Sequence, residues 1–403
     1  MPILVSPNKT ISDSAIEGVT FDRPQRVIGT LVLDDYEKVV QYPSEWLTKR
    51  VASQGISYAT AETYARNITY FLDYLKRRPD SEGLTHDEML LRVRLSALES
   101  WFIEQSNEGM DRSTNRNREA CLRSFYDYLS DGKFRDPVLE RSPFSTKYVT
   151  PKPHNKQVVR ADLNDLFALM NQSKYERDRV LLQFMYDSGV RISEVERITY
   201  NDIRDAINFT NSGFVCSQHN LPVHPGYAPL LIRGSKGRGN SIKERYTLVS
   251  TPTLRRIATY HSSPLYKRHQ MKYGDRGLCP AFLNSEGGAY NKASLAKLFE
   301  RLSKKAKKKG LVTKSIHAHL LRHGSAYLIL QDPNLGSDYL ERLVNIKKTL
   351  GHTFISTTEV YTSIPFDIYN SIADEKGAIK SKTDLMEEVV EQTKLRIRIG
   401  DKK

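Results

Sequence analysis

Leu350-Gly-His-Thr-Phe-Ile-Ser-Thr-Thr-Glu-Val-Tyr361 is the stretch from which the rest of the chain is read. It sets a histidine, His352, nine residues ahead of a tyrosine, Tyr361. That spacing alone is weak. It gains force because Arg191, Lys236, His319 and Arg322 stand upstream, in that order. Two arginines, a lysine and two histidines converging on a tyrosine are what attack on a phosphodiester by a phenol requires.

The chemistry fixes which residue types are needed. A phosphodiester repels a nucleophile, and its pentavalent transition state carries still more negative charge. Arginine answers both problems, being always charged and able to give two hydrogen bonds to phosphate oxygens. Two arginines aimed at the non-bridging oxygens make an oxyanion clamp. The leaving 5′-oxygen needs a proton, which a lysine in an already positive site can supply. A phenol, with an ordinary pKa near ~10, needs cationic neighbours or a histidine to lose its own.

Composition points to a polyanionic partner. The 403 residues carry 61 Lys and Arg against 47 Asp and Glu, a formal net charge of +14. That balance favours nucleic acid first and an anionic membrane second, against a merely basic surface with no specific partner. No run approaches the ~20 apolar residues of a membrane span. The opening Met1-Pro-Ile-Leu-Val-Ser-Pro7 lacks a signal-peptide layout, so a cytoplasmic protein is expected, nucleoid-associated when bound to DNA. Cys121, Cys216 and Cys279 are odd in number and far apart, which fits a reducing compartment. Cys216, His219 and His224 cluster loosely without zinc-site spacing.

The length suggests two or three domains. Residues 1–42 read as an extended N-terminal extension with one β-like run, Val27 to Leu33. Residues 43–141 read as a helical bundle. Ala61, Tyr64, Ile68, Phe71, Leu72 and Leu75 recur at helical spacing, with Thr60 as candidate cap. Residues 142–157, with three prolines and three lysines, have linker composition. They read as a spacer, as a strap lying along a phosphate backbone, or as both.

A larger unit is expected over 158–370. Pro229 to Arg233 and Arg245 to Val249 flank a glycine-rich turn and predict a β-hairpin. Ala281-Phe-Leu283 predicts a short strand, Arg191 to Ile198 a helix start, and 203–228 an inserted loop. Helices are expected near 293–309, 319–331, 338–350 and 355–362. The tail, 371–403, holds an amphipathic helix around Asp384 to Leu395 that either folds back or docks on a neighbour. The fold class is therefore mainly α with a small antiparallel β-sheet (α+β).

Each candidate also has a plainer reading. Arg191 follows Gly189-Val190 at a helix start, where a phosphate is welcome, but most lone arginines are surface residues. Glu194 is either its orienting partner or a solvated i,i+3 pair. His319-Leu-Leu-Arg322 puts two candidates on one helix face, though His-x-x-Arg is common by chance. His323 is read as lying off that face, with at most a supporting role. For DNA contact the candidates are Arg112, Arg116, Arg118 and Arg123 at one helix start, and Lys304, Lys305 and Lys308 within a lysine run. That run is otherwise a solvated helix face.

As a set, Ser188-Gly-Val-Arg-Ile-Ser-Glu194, Arg233-Gly-Ser-Lys-Gly-Arg-Gly239, His319-Leu-Leu-Arg-His323 and Leu350 to Tyr361 resemble the tyrosine recombinase (phage integrase) family. The resemblance spans about residues 43 to 365. It implies a helical core-type DNA-binding domain followed by a catalytic domain. It implies that Arg191 and Arg322 clamp the scissile phosphate, with His319 and His352 supporting it and the tyrosine. Lys236, favoured over Lys243, would be the general acid. Tyr361 would attack and leave a 3′-phosphotyrosine. No metal or nucleotide is implied; double-stranded DNA is the partner, clamped between the two domains, with four protomers on two sites. The expected function is that of a site-specific recombinase or integrase of a mobile element. The rivals are a type IB-like topoisomerase and a non-catalytic DNA-binding protein on the same fold.

Overall fold

Helix α1 (Gln41–Ala52) buries Trp46, Leu47 and Val51, and α2 (Tyr58–Lys76) buries Ala61, Ala65, Ile68, Phe71, Leu72 and Leu75. Those residues recur at three and four, so one stripe of each helix must find apolar cover. It is supplied by α3 (His86–Leu91), α4 (Leu95–Asn107) and α5 (Arg112–Ser130). The core is aromatic: Trp46 stands edge-on to Phe125 at 5.4 Å between centroids, and Phe71 meets Trp101 at 4.9 Å. The cap of α2 is Ser57, not Thr60; the Ser57 hydroxyl accepts the N–H of Thr60 at 3.2 Å. An N-cap residue must sit outside the helix in extended conformation, as Ser57 does.

The chain is described from a computed structural model over residues 4–5, 30–132, 136–153, 158–211, 224–236, 242–351 and 380–395. Among these residues it is mainly helical, with two small antiparallel sheets. It divides into two compact units, one up to residue 156 and one from residue 157 onward. In the first unit the described part of the β-like run forms a strand at Leu31–Val32, paired with Leu4–Val5.

The expected linker is in part a strap on the helical unit. Glu119 of α5 is fully buried and accepts the backbone N–H groups of Val149 and Thr150, both at 2.7 Å. Arg116 donates to the Thr150 carbonyl at 2.8 Å, and Arg123 to the Ser145 carbonyl at 2.6 Å. Buried backbone groups need partners, and here α5 provides them. Composition alone did not distinguish this strap from a spacer.

The second unit begins with α6 (Leu163–Gln172) and α7 (Glu176–Ser188), then the short α8 (Ile192–Val195) and α9 (Tyr200–Asn211). Helix α9 occupies the start of the expected 203–228 insertion, because Ile203 and Ala206 are buried on its inner face. The hairpin is present: β3 (Tyr227–Lys236) pairs with β4 (Ile242–Ser250), with a register shift between Ile232 and Ser235. It is followed by α10 (Thr251–His261), α11 (Pro264–Gln270), α12 (Lys292–Lys308), α13 (Ala318–Gln331) and α14 (Tyr339–Leu350). The expected strand at Ala281 to Leu283 reduces to an isolated bridge between Leu283 and Ala289. The helix expected at 355–362 lies outside the described residues.

Helix α13 is the central element, buried along nearly its whole length from Ala318 to Leu330. The last described helix, α15 (Lys382–Thr393), folds back on this same unit. Its Met386 carbonyl accepts from Gln183, and Arg256 bonds the Thr393 hydroxyl at 2.7 Å. At its start Lys382 and Asp187 form a 3.0 Å ion pair, both side chains fully buried.

Candidate active site

The site grows from the end of α7. A helix leaves its last carbonyls without helical partners, and here three other elements take them. Ser325 of α13 bonds the Asp187 carbonyl, Thr247 of β4 the Ser188 carbonyl, and Arg322 of α13 the Gly189 carbonyl at 2.5 Å. Gly189 ends the helix in the left-handed region with φ of 62°. A Cβ there would stand 2.6 Å from Leu350 Cδ2 and 2.9 Å from Ser325 Oγ. Only glycine meets both demands.

Two residues on, Arg191 caps α8. Its backbone N–H and its guanidinium both bond Glu194, at 2.8 and 2.9 Å. Glu194 is completely buried, so it is an orienting partner and not a solvated surface pair. Burial alone would raise its carboxyl pKa. Arg245 and Arg191 overcome that and hold it below the ordinary 4.5. Arg245, on β4, reaches Glu194 Oε2 at 2.7 Å and also bonds the Thr349 carbonyl. Arg245 was missed in the sequence, although Arg245, Thr247 and Val249 alternate onto the buried face of β4. A charge on the inward side of a strand was the signal.

Arg322 is only 2% exposed. Besides Gly189 it bonds the Leu350 carbonyl at 2.6 Å, so it ties the α7 turn to the end of α14. His319 lies one turn before it on α13. The protein packed around His319, and then the charges of Arg322, His317 and Arg191, hold its imidazole below the ordinary 6.5. His319 therefore rests neutral near pH 7, able to take a proton. His323 was expected off this face, but its ring stands 4.4 Å from that of His319, edge to face. An i,i+4 pair shares a helix face, which is the physical reason.

Lys236 is the last residue of β3, paired with Ile242 across the hairpin. His352 and Tyr361 lie outside the described residues, as do Cys216 and His219. The described part of the site ends at Gly351, which caps α14 with φ of 65° and leaves room for the Arg245 side chain.

The expected DNA-contact residues divide. Lys304, Lys305 and Lys308 are exposed on α12, and Arg112 is exposed at the start of α5. Arg118 is not available: it is 7% exposed, bonds Gln105, and stacks over Tyr70 at 4.7 Å. Arg116 lies 3.3 Å from the Tyr148 ring, and Arg123 pairs with Glu119 at 2.8 Å. These three organise the helical unit and its strap. A run of arginines at a helix start gives no hint of which ones face the core.

Comparison with known proteins gives the family and the fold. A model of the phage integrase family matches residues 157–366, a little over half of the chain. A tyrosine recombinase XerC of Oceanobacillus iheyensis is 26% identical over 312 residues, which is 76% of this chain and 86% of the relative. A tyrosine recombinase XerD of Listeria monocytogenes is 25% identical over 328 residues, 78% of this chain and 91% of the relative. Among solved structures, the fold is similar to the XerH site-specific recombinase bound to palindromic difH substrate. There the TM-score is 0.54 at 19% identity, over 79% of this chain and 80% of that one. It is also similar to the Tn1549 transposon integrase in complex with transposon right end DNA, with a TM-score of 0.52 at 15% identity over 84% and 99%. The chain belongs to the phage integrase family and is a tyrosine-type site-specific DNA recombinase.

Proposed function

We propose that this recombinase serves a mobile element, and that it exchanges double-stranded DNA through a 3′-phosphotyrosine at Tyr361 without metal or nucleotide. The Tyr361 oxygen attacks the scissile phosphorus and its proton passes toward His319. The bond to the 5′-oxygen breaks and Lys236 protonates that oxygen as it leaves. Arg191 and Arg322 carry the charge of the transition state, and His352 supports the phosphate. A second strand's 5′-hydroxyl then attacks the phosphotyrosine, restoring the phosphodiester and the tyrosine. Protein, DNA and energy balance without a co-reactant.

One observation carries this reading. Arg322 bonds Gly189 from α13, while Arg191, two residues on, is fixed by buried Glu194. Two guanidiniums are thus anchored to a single turn, with a neutral histidine beside them. Arg112, Lys304, Lys305 and Lys308 are the DNA-backbone contacts in this reading. Four protomers on two sites and a cytoplasmic, DNA-associated location complete it. Among the described residues no helix is long and apolar enough to cross a membrane.

The test is a duplex nicked near the scissile phosphate, which traps the covalent intermediate. Wild type should accumulate a protein–DNA adduct and Tyr361→Phe none, with DNA binding retained. Equal adduct in both would overturn the assignment. Relaxation of supercoiled DNA at no defined site would point to a topoisomerase. Recombination between two copies of the element's ends is the expected outcome.

A further inference from the structure

Arg245 has two distinct partners, one on α8 and one on α14. On one side stands Glu194, whose Oε2 also receives the backbone N–H of Arg191 at 2.8 Å and whose Oε1 receives the Arg191 guanidinium at 2.9 Å. On the other stands the carbonyl of Thr349, in the last turn of α14 and three residues before His352. The next carbonyl, that of Leu350, is taken by Arg322. The end of α14 is thus held by two guanidiniums from two elements, each also tied to the Arg191 side of the site. Gly351 completes the arrangement: a side chain there would collide with Arg245 Cδ.

A buried ion pair is a poor source of stability, because desolvating both ions offsets their attraction. What it supplies is fixed geometry. Arginine fits this place because its planar fork can bond two acceptors in set directions, which a lysine ammonium on a flexible stem does not reproduce.

We propose that Arg245 is the positioning residue that fixes the Arg191 turn relative to the end of α14, orienting Arg191 through Glu194. This rests on the reading of Arg191 as a phosphate ligand. Arg245 itself touches no reacting atom. Its loss should therefore slow the chemical step and leave the grip on DNA unchanged, since misplacement of a site by about 1 Å costs on the order of 100-fold in rate.

The experiment uses the full chain and the nicked duplex at saturating concentration, read as the single-turnover rate of adduct formation. Arg245→Lys and Arg245→Met are each compared with wild type on two substrates. One carries the ordinary scissile phosphate. The other carries a methylphosphonate, which is neutral and so depends far less on the arginine clamp. On the phosphodiester both variants should lose on the order of 100-fold, with duplex affinity within about twofold of wild type. On the methylphosphonate the loss should shrink to about tenfold or less, because a misaimed clamp matters less without charge to neutralise.

Arg245→Lys within about threefold of wild type on the phosphodiester would overturn the proposal. So would equal losses on both substrates, which mark a general folding defect. Should Arg245→Met fail to fold, Arg245→Lys decides alone, since it keeps the charge and lacks the fork. A wild-type protein that forms no adduct would instead bring down the reading of the whole site.

Discussion

Loss of solvent around the His319 ring, and then the charges of Arg322, His317 and Arg191, make its protonated imidazole an unfavourable state. His319 should therefore stay neutral until the pH falls below its ordinary value of 6.5. Its folded pKa is depressed, so the unfolded chain binds the proton first as pH drops. The stability tied to the neutral ring is present above about pH 6.5 and lost progressively below it. The same proton would block transfer from Tyr361. The rate of adduct formation should thus hold from neutral pH down to about 6.5 and decline only further down. A His319→Gln variant should be slower and lack that acid limb. An acid limb above pH 6.5 in the wild type, or an unchanged one in the variant, would speak against this role. At this scale the sequence was legible wherever a residue's chemistry sufficed: Arg191, His319 and Arg322 were picked out by type and order. It was not legible for Arg245 or for the face of His323, since those depend on strand alternation and helix phase.

Elements decide how such residues are held. Helix α15 enters the second unit through Lys382, whose ion pair with Asp187 is wholly buried. Asp187 also accepts from the Ser250 N–H and hydroxyl, and its own carbonyl receives Ser325. Helix α15 therefore starts against the same turn that carries the Gly189 contact with Arg322. Removing one partner of a buried pair leaves an uncompensated charge, which costs about 3–5 kcal/mol. Lys382→Ala should lower the unfolding free energy by that order in urea titration. Lys380→Ala breaks only the half-exposed pair with Glu388 and should cost less than about 1 kcal/mol. Equal effects of the two would deny Lys382 its special place. The sequence predicted a helix here, since Leu385, Met386, Val389 and Val390 recur on one stripe. It left open whether that stripe turned inward or toward a neighbour, because an apolar stripe does not name its cover. In this structure the cover is α7 and α10 of the same chain.

For the whole molecule, a net charge of +14 implies binding that weakens steeply with salt. Each phosphate neutralised contributes about 0.9 to the slope of log affinity against log salt. Changing Lys304, Lys305 and Lys308 to alanine together should flatten that slope by about two to three. Arg118→Ala should leave the slope unchanged and lower the melting temperature, because Arg118 is spent on Gln105 and Tyr70 inside the helical unit. A slope that responds to Arg118 and not to the lysines would reverse the assignment of this surface.

By itself the amino-acid sequence determined the family, the mainly helical class, the hairpin and the order of the candidate site residues. Those follow from local periodicity and from side-chain chemistry, which neighbours along the chain suffice to express. Only the tertiary structure decided which charges are buried and which face solvent. Arg116, Arg118 and Arg123 read as candidates for DNA contact and Arg245 only as part of a strand, yet all four turn inward to partners 13 to 104 residues away. A buried charge persists only where a distant carboxylate or carbonyl meets it, and that meeting exists only once the chain has folded.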